Sequence, residues 1–357
     1  MALPKWSRAD GWTPAFPRPS HWFKAPWWIL SILTGAKSFV DNPILGSRRL
    51  NRAGLHAWRL KTAHKFASWR RARLAKHLSA TLREQFDRDG FIVIRDFLSV
   101  NDFDAVRSAF LNEKFECRDH QQGDTITRRV AISPQVREQV PELDALFADT
   151  RWRGIMAYIS STLSEPLLYA QSVAGGAAEG APDPQHQLHS DTFHPSLKAW
   201  LFLTDVAPDG RPLTYVAGSH RLSSARIAWE QKRSVDVLRT GDRLSQRGSF
   251  RIAPHELAEL GLPQPTVFAV PANTLVAIDT CGFHARADSD RQTVRAELWA
   301  FVRRSPFIPW ARGGLLSWRP IATRQTQWVG PIVDWLDRRG WKRQHWQPVG
   351  KRRLQDF

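Results

Sequence analysis

The triplet His189, Ser190 and Asp191 can present two metal-binding side chains to one ion. In extended backbone, residues i and i+2 point to the same side, so the imidazole and the carboxylate of this triplet face the same way. His284 follows an apolar run that predicts a strand, and it is the candidate for a third ligand. Two histidines and one carboxylate are typical of non-haem Fe(II) sites that bind oxygen. An H-x-D triplet also occurs by chance, and a lone histidine is more often an ordinary surface or core residue.

Four segments in the centre of the chain, in this order and spacing, resemble the phytanoyl-CoA dioxygenase family. The segment 210–221, GRPLTYVAGSHR, is similar to the family's "N-G-P-L…V-P-G-S-H-R" pattern. The others are the entry segment 89–98, the stretch 189–206 that begins with the triplet, and a strand with a trailing histidine, His284, followed eleven positions later by Arg295. The resemblance covers about residues 80–305 and leaves out both ends of the chain.

The resemblance implies a mainly β chain with flanking helices around a double-stranded β-helix, a cupin-like jelly roll that binds Fe(II) at one open end. It implies His189, Asp191 and His284 as catalytic metal ligands, with 2-oxoglutarate as cosubstrate and O2 as oxidant. Arg295 matches the residue that holds the far carboxylate of 2-oxoglutarate, and a guanidinium suits that role because it pairs with a carboxylate in bidentate fashion. Arg291 is the nearest alternative. We therefore expect a dioxygenase that hydroxylates an aliphatic C–H bond.

Two positions depart from the family pattern. Ala217 replaces the usual proline of the P-G-S-H segment, which a turn should tolerate. Arg286 stands two residues after the distal histidine, where relatives often have a small hydroxyl residue near the cosubstrate, so it can change how 2-oxoglutarate or an anionic substrate sits. Thr192, directly after the aspartate of the triplet, is expected to supply a hydroxyl instead. Lys198 and Trp200 share a strand face and are expected to line the pocket, with core packing as the alternative for Trp200.

The pattern along the chain changes from helical to strand-like. A short apolar helix is expected to begin near Pro26, and one long helical pattern covers about residues 53–86. Helices are also expected at 97–110 and over most of 136–161, and strands at 91–94, 167–173, 199–206, 213–216, 266–270, 274–279 and 294–302. This order favours a β core with helical buttresses. Residues 222–264 form a long polar insertion of the kind that often serves as a lid or substrate loop.

The net charge of +17 is concentrated at the two ends of the chain. Residues 1–76 contain 15 Lys and Arg against two Asp, and residues 303–357 contain 12 against three Asp, which leaves the centre slightly acidic. We therefore expect a basic, Trp-rich helical extension at 1–79, an oxygenase domain at 80–305 and a second basic, Trp-rich extension at 306–357. Such flanks indicate an anionic partner, either a membrane surface or a polyanion.

The Trp-rich flanks admit two interpretations. The longest apolar run, 25–36, has about half of the ~20 residues that a bilayer span requires, so the flanks can lie on a membrane but not cross it. Alternatively, the Trp residues fill a helical shell around the β core, and the basic face is merely solvated. We prefer a lipid or lipid-linked substrate at an anionic membrane surface contacted by 1–76 and 306–357. A soluble small-molecule substrate is the alternative.

Several classes of protein fit the composition poorly. Two cysteines form neither a disulfide framework nor a zinc cluster, and residues 1–23 lack the apolar core of a signal peptide. We therefore expect a reducing, cytoplasmic location, peripheral on the inner face of a membrane. A non-catalytic protein whose basic flanks bind an anionic lipid such as lipopolysaccharide, or a polyanion such as nucleic acid, is the competing class. The complete ligand set and Arg295 argue against it, and nucleic acid is not the expected partner.

Overall fold

The computed structural model describes residues 24–239, 242–312, 321 and 324–357. The irregular segment expected at the start of the chain, with Trp6, Trp12 and Trp22, lies outside these residues apart from Lys24, and so does Trp318. From residue 24 onwards, four α-helices precede the first strand: α1 (Ala25–Leu30), α2 (Arg48–Arg52), α3 (Leu55–Leu74) and α4 (Ala80–Asp89). Pro26 lies in the first turn of α1, as the sequence predicted.

The long helical pattern at 53–86 forms two helices instead of one. The helical pattern is interrupted at Ser79. The side chain of Ser79 accepts a hydrogen bond from the backbone N–H of Leu82 and so caps the start of a new helix, α4. In α3, Leu60, Ala63 and Ala67 are fully buried, so this helix packs on the rest of the protein along most of its length.

Eight antiparallel strands form the larger of two sheets. Their spatial order is β1 (Phe91–Ile94), β8 (Leu275–Asp279), β5 (Leu197–Phe202), β10 (Thr293–Val302), β4 (Leu167–Gly175), β3 (Thr125–Ala131), β2 (Phe115–Gln122) and β11 (Gln347–Arg352). The smaller sheet has the order β7 (Thr266–Val267), β6 (Leu213–Tyr215) and β9 (His284–Arg286). All predicted strands are present, although β7 is shorter than expected.

Alternate residues of the central strands face two different surroundings. Trp200, Phe202 and Trp299 pack in one apolar cluster with Leu213 and Tyr215 of the smaller sheet, so this cluster lies between the two sheets. The other face of the larger sheet belongs to a second cluster with helical residues. That face is covered by α5 (Val100–Asn112), α6 (Pro134–Gln139), α7 (Glu142–Ala148) and α8 (Thr150–Ser160). The mainly β, jelly-roll fold with flanking helices is therefore confirmed.

The predicted insertion at 222–264 is a packed helical unit. It contains α9 (Ser224–Asp236), α10 (Arg243–Gln246) and α11 (Pro254–Glu259). Trp229 and Phe250 form a small core with Phe39 from the N-terminal segment and Phe283 from the turn before β9. The insertion therefore packs between the N-terminal segment and the turn before His284, the predicted distal metal ligand.

The C-terminal flank joins the larger sheet. Strand β11 pairs with β2, and α12 (Gln325–Arg338) contacts β4. Arg118 of β2 forms an ion pair with Asp334 of α12 and donates a hydrogen bond to the backbone oxygen of Trp346. No helix in the described part of the chain is both long and apolar enough to cross a membrane. The boundaries of the three predicted parts stay a prediction.

Candidate functional site

Backbone hydrogen bonds bring the three predicted metal ligands together. The backbone N–H of His189 donates to the backbone oxygen of His284 at 3.0 Å, and the backbone N–H of His284 donates to the backbone oxygen of His189 at 2.9 Å. The N–H of Asp191 donates to the backbone oxygen of Thr280 at 2.9 Å. The triplet therefore lies antiparallel to the segment that leads into β9, and this ladder fixes the distance between the two histidines.

The side chains of this triad converge on one point. One ligand atom from each of His189, Asp191 and His284 lies within 4.8 Å of the others. Oδ1 of Asp191 is 3.6 Å from Nε2 of His189 and 3.7 Å from Nε2 of His284. The Nδ1 atoms face the backbone oxygens of Gln187, at 2.7 Å, and Gly282, at 3.0 Å. Because a neutral imidazole that donates from Nδ1 keeps a lone pair on Nε2, both rings are oriented as metal ligands.

The charge states of the triad also suit a divalent cation. Burial lowers the pKa of His284 to about 3 and also lowers the pKa of His189, so both imidazoles are neutral at pH 7. Burial opposes ionisation of Asp191, but the ammonium group of Lys198 and the two imidazoles together hold its pKa well below the usual range. The triad therefore offers two neutral nitrogens and one anionic oxygen.

Asp191 divides its two oxygens between the triad and a lysine. Oδ1 faces the two histidine Nε2 atoms, whereas Oδ2 forms an ion pair with Nζ of Lys198 at 2.7 Å. The ion pair orients the carboxylate so that one oxygen remains directed at the triad. Lys198 and Trp200 both line the adjoining cavity, as predicted, and Trp200 is also part of the core between the sheets.

The turn before β9 has room for only a glycine at position 282. A Cβ atom on Gly282 would lie 1.9 Å from Oη of Tyr215. That hydroxyl donates a hydrogen bond to the backbone oxygen of Asp279 at 2.9 Å. Asp279 is itself buried and paired with Arg71 of α3 at 2.7 Å. Helix α3 and the smaller sheet thus hold the turn that carries His284.

The donor set fits an iron ion. Nε2 of His284 is buried and has no hydrogen-bond partner among the described residues, which is costly unless a ligand satisfies it. Two imidazole nitrogens and one carboxylate oxygen on one side of an ion form the facial arrangement of non-haem Fe(II) sites, and they leave other positions open. His189, Asp191 and His284 are therefore the residues that would hold the metal.

A cavity of about 200 Å³ adjoins the two histidines and contains Arg295. Arg295 is 8% exposed; its Nε pairs with Glu297 at 3.0 Å, and its Nη1 donates to the backbone oxygen of Arg211 at 2.7 Å. Glu297 also accepts a hydrogen bond from Gln171 at 2.5 Å. Nη2 of Arg295 has no hydrogen-bond partner among the described residues. The guanidinium is therefore held rigidly and keeps a free donor group.

The two neighbouring arginines differ in position. Arg286 lines this first cavity and forms an ion pair with Asp183, and burial together with the charge of Arg295 lowers its pKa to about 10. Arg291, the alternative to Arg295 in the sequence, has an exposed side chain, pairs with Asp209 and is not among the residues that line the cavity. Of the two candidates for a carboxylate-binding arginine, only Arg295 lies beside the triad.

A second cavity, of about 300 Å³, borders Asp191 and shares Arg129, Lys198 and Trp299 with the first cavity. Thr192 lines this cavity and not the first one, and its hydroxyl lies 3.4 Å from Nη2 of Arg303. Lys37 reaches the same cavity from the N-terminal segment and donates a hydrogen bond to the backbone oxygen of Asp191. Burial lowers the pKa of Lys37 to about 8. The sequence predicted Thr192 beside Arg295 at the cosubstrate; in the structure Thr192 lines the second cavity and Arg295 the first, and the role of Thr192 stays a prediction.

Several residues at the two cavities were not identified from the sequence. They are Lys37, Arg129, Gln171, Glu297, Arg303 and Trp346. Glu297 carried a usable signal, because an acidic residue within the apolar run of β10 requires a polar partner when buried. The others come from segments far apart in the chain, and nothing local to them indicates a site.

Comparison with known proteins supports one family. Residues 86–237 match the family described as "Phytanoyl-CoA dioxygenase (PhyH)". This range includes the triplet and the 210–221 segment, and the resemblance stated from the sequence is confirmed. No curated protein matches the chain.

Solved structures with some likeness to the chain include the following three proteins. The epimerase SnoN from nogalamycin biosynthesis, described as non-heme and alpha ketoglutarate dependent, is 20% identical, with 64% of this chain and 82% of that one covered and a TM-score of 0.39. HygX from Streptomyces hygroscopicus, with nickel and 2-oxoglutarate bound, is 15% identical, with 63% and 86% covered and a TM-score of 0.39. EctD from S. alaskensis is 17% identical, with 67% and 89% covered and a TM-score of 0.37.

Proposed function

Because residues 86–237 belong to the phytanoyl-CoA dioxygenase family, we propose that this protein is an Fe(II)- and 2-oxoglutarate-dependent oxygenase that hydroxylates an aliphatic C–H bond. The observation that carries the proposal is the convergence of His189, Asp191 and His284 beside a cavity that contains Arg295. The buried, unpartnered Nε2 of His284 is explained by a metal ion at this point.

Each residue of the first cavity has a distinct role in this reaction. His189, Asp191 and His284 would hold the iron, and Lys198 orients the carboxylate of Asp191. Nη2 of Arg295 would donate to the far carboxylate of 2-oxoglutarate, while Glu297 and Gln171 keep the guanidinium in place. When bound, iron and 2-oxoglutarate supply the activation of O2, coupled to oxidative decarboxylation of 2-oxoglutarate to succinate. The protein contributes binding, orientation and exclusion of water.

Arg286 does not compete with Arg295 for the cosubstrate in this proposal. The guanidinium of Arg286 forms an ion pair with Asp183, whose side chain is fully buried. Nη2 of Arg295, in contrast, has no hydrogen-bond partner among the described residues.

Anaerobic titration tests the proposed function directly. We expect that Fe(II) and 2-oxoglutarate together, without O2, produce a weak visible charge-transfer band that neither produces alone. The physical reason is that the keto acid chelates the metal through the positions that the triad leaves open. Absorbance spectroscopy under argon measures the band, and Zn(II) in place of Fe(II) is the control that should give none. If no band forms although calorimetry detects bound Fe(II), the cosubstrate assignment is wrong.

A lipid or lipid-linked substrate at a membrane surface is our proposal for the finer function. Trp27 is 65% exposed, and Ile29, Leu30 and Leu33 are 59%, 55% and 55% exposed, so α1 and the turn after it present an apolar surface to solvent. Arg59 of α3 donates to three backbone oxygens of this segment, those of Ile32, Thr34 and Ala36. An apolar surface of this size beside a basic helix favours an interfacial position on anionic lipid.

The same segment links the apolar surface to the site. Only three residues separate Leu33 from Lys37, whose ammonium group lies at the second cavity. The backbone oxygen of Gly35 accepts a hydrogen bond from Arg303 at 3.0 Å, and Arg303 lines the same cavity. The exposed surface of α1 and the second cavity are therefore only a few residues apart along the chain. A substrate that approaches along this surface would reach the second cavity.

Vesicle binding tests the membrane proposal. We expect the full chain to bind vesicles of anionic phospholipid, and the triple variant Trp27→Ser, Ile29→Ser, Leu30→Ser to bind at least about tenfold more weakly. Each buried apolar side chain contributes roughly 1.5–3 kcal/mol, whereas each basic residue contributes about 1 kcal/mol that salt screens. Binding of the full chain should therefore weaken but persist at high salt. Co-sedimentation measures both effects.

The matched control changes exposed valines elsewhere. Val100 is 73% exposed and Val267 is 51% exposed, so Val100→Ser with Val267→Ser removes apolar surface outside the N-terminal segment. This control should bind vesicles as the unmodified chain does. Complete loss of binding in salt would show that the attraction is purely electrostatic, and equal loss in the control would show that α1 has no special role.

A further inference from the structure

The second cavity carries an excess of positive charge. Four cationic side chains line it, and Asp191 is the single acidic side chain among its described lining residues. Because Asp191 is committed to the triad and to one of these cations, the others have no carboxylate in the cavity to compensate them. The four cations are Lys37, Arg129, Lys198 and Arg303.

The guanidinium of Arg129, on β3, is held in an orientation in which it could bind an oxyanion. Its guanidinium carbon lies 4.1 Å from the ring centroid of Trp299 and 4.2 Å from that of Trp346, so the group is held between two indole rings. Its Nε donates to Oε1 of Gln171 at 2.7 Å. Its two Nη groups have no hydrogen-bond partner among the described residues, and no carboxylate pairs with it there. A guanidinium fixed in this way presents a free fork of donors.

The other cations surround the same space from different elements. Nη2 of Arg303, the residue after β10, donates to the backbone oxygen of Gly35 at 3.0 Å, and Arg303 as a whole is an exposed residue. Lys37 donates to the backbone oxygen of Asp191, and Lys198 pairs with its side chain. Trp299 and Phe301 stack with ring centroids 5.7 Å apart and form an apolar wall of the cavity. The cavity therefore combines a cationic rim with an aromatic surface.

We propose that the second cavity binds a phosphate-type group of the primary substrate, with Arg129 and Arg303 as specificity-determining residues. This inference rests on the proposed function, because it assumes that the carbon to be oxidised lies near the triad that Asp191 shares with the cavity. A phosphate ester carries nearly two negative charges and three acceptor oxygens, which matches several uncompensated cations better than a singly charged carboxylate does. The apolar part of the substrate packs against Trp299 and Phe301.

Calorimetric titration with methyl phosphate tests this proposal, with acetate as the singly charged comparison. Titrations use the full chain, once without metal and once with Fe(II) and saturating 2-oxoglutarate under argon, at constant ionic strength. We expect methyl phosphate to bind in both states and more tightly than acetate. Arg129→Gln should raise its dissociation constant at least about tenfold, and Arg303→Gln about threefold because Arg303 is exposed and screened by solvent.

Two control variants distinguish the loss of a positive charge in the second cavity from a general effect of substitution on the protein. Arg303→Lys keeps the charge and should restore most of the affinity that Arg303→Gln loses. Arg107→Gln removes the same charge from the exposed surface of α5, where Arg107 has no described side-chain partner, and should leave binding unchanged. Thermal unfolding of each variant verifies that it folds.

Three outcomes would overturn the proposal. One is that methyl phosphate does not bind in either state, and a second is that acetate binds as tightly. The third is that 2-oxoglutarate displaces methyl phosphate and Arg303→Gln has no effect, because Arg303 lines only the second cavity and the phosphate would then occupy the first. A charge-transfer band without phosphate binding refutes this inference alone, whereas phosphate binding without the band refutes the proposed function alone.

The source of the phosphate is a separate arm of the experiment. A short-chain, water-soluble phosphatidic acid replaces methyl phosphate in the same titration. Tighter binding of the acylated phosphate, lost in Arg129→Gln, supports the proposal with a lipid headgroup as the source. Equal binding of the two, also lost in Arg129→Gln, supports it with a soluble phosphate ester as the source.

Discussion

The variant His284→Ala should lose Fe(II) binding and all 2-oxoglutarate-dependent turnover. The remaining His189 and Asp191 would supply two ligands on one side of the ion, and two ligands hold Fe(II) too loosely for O2 chemistry. His189→Ala and Asp191→Ala should have the same effect. Metal content after anaerobic loading and the release of succinate measure the two losses independently.

A histidine elsewhere provides the control for this experiment. His255 lies exposed on α11 and outside both cavities, so His255→Ala should keep full metal content and turnover. Because Nδ1 of His284 faces the backbone oxygen of Gly282 at 3.0 Å, thermal unfolding of His284→Ala must also be compared with that of the unmodified chain. A folded His284→Ala variant that retains iron and activity would show that the distal ligand is assigned wrongly.

The sequence predicted the strands whose residues face apolar surroundings on both sides. Strands β1 and β8 are continuous apolar runs in the sequence, and β5 and β10 carry enough apolar residues to be recognised. Their residues pack between the sheets on one face and against helices on the other. Burial on both faces leaves a strong local signal, because nearly every position must be apolar.

Strands β2 and β3 were missed because their residues that line the first cavity are polar. His120 and Gln122 of β2, and Thr127 and Arg129 of β3, lie at alternate positions that face this polar space. Polar residues at these positions remove the apolar alternation that would indicate a strand. Strands β5 and β10 also line this cavity, but Trp200, Phe202 and Trp299 keep enough of their positions apolar for the strands to be recognised.

The composition of the second cavity could not be predicted from the sequence for a different reason. The cations of this cavity lie on four segments, those of Lys37, Arg129, Lys198 and Arg303. These segments meet because β10 pairs with β5 and β4, β4 pairs with β3, and Arg303 bonds to the N-terminal segment. Each of these cations, taken singly, is an ordinary basic residue in a chain with 51 Lys and Arg. The basic N-terminal flank was expected to face a partner, and the structure adds that Lys37 of this flank also lines the site.

Replacement of Arg295 needs a second change to be interpretable. Arg295→Leu alone would leave Glu297 buried without its cationic partner, which destabilises a folded protein whatever the role of the arginine. The informative variant is therefore Arg295→Leu with Glu297→Gln, because the neutral amide can keep the contact with Gln171 and carries no unpaired charge.

In this double variant, the concentration of 2-oxoglutarate required for half-maximal turnover should rise at least about tenfold, since a charge-assisted contact contributes roughly 1.5–3 kcal/mol. Glu297→Gln alone separates the effect of the carboxylate from that of the arginine and should change the requirement much less. Arg291→Leu is the matched control, because Arg291 is exposed and pairs with Asp209 outside the first cavity. Succinate release at varied 2-oxoglutarate measures all three. An unchanged requirement in the double variant, with a large rise in Arg291→Leu, would transfer the cosubstrate role to Arg291.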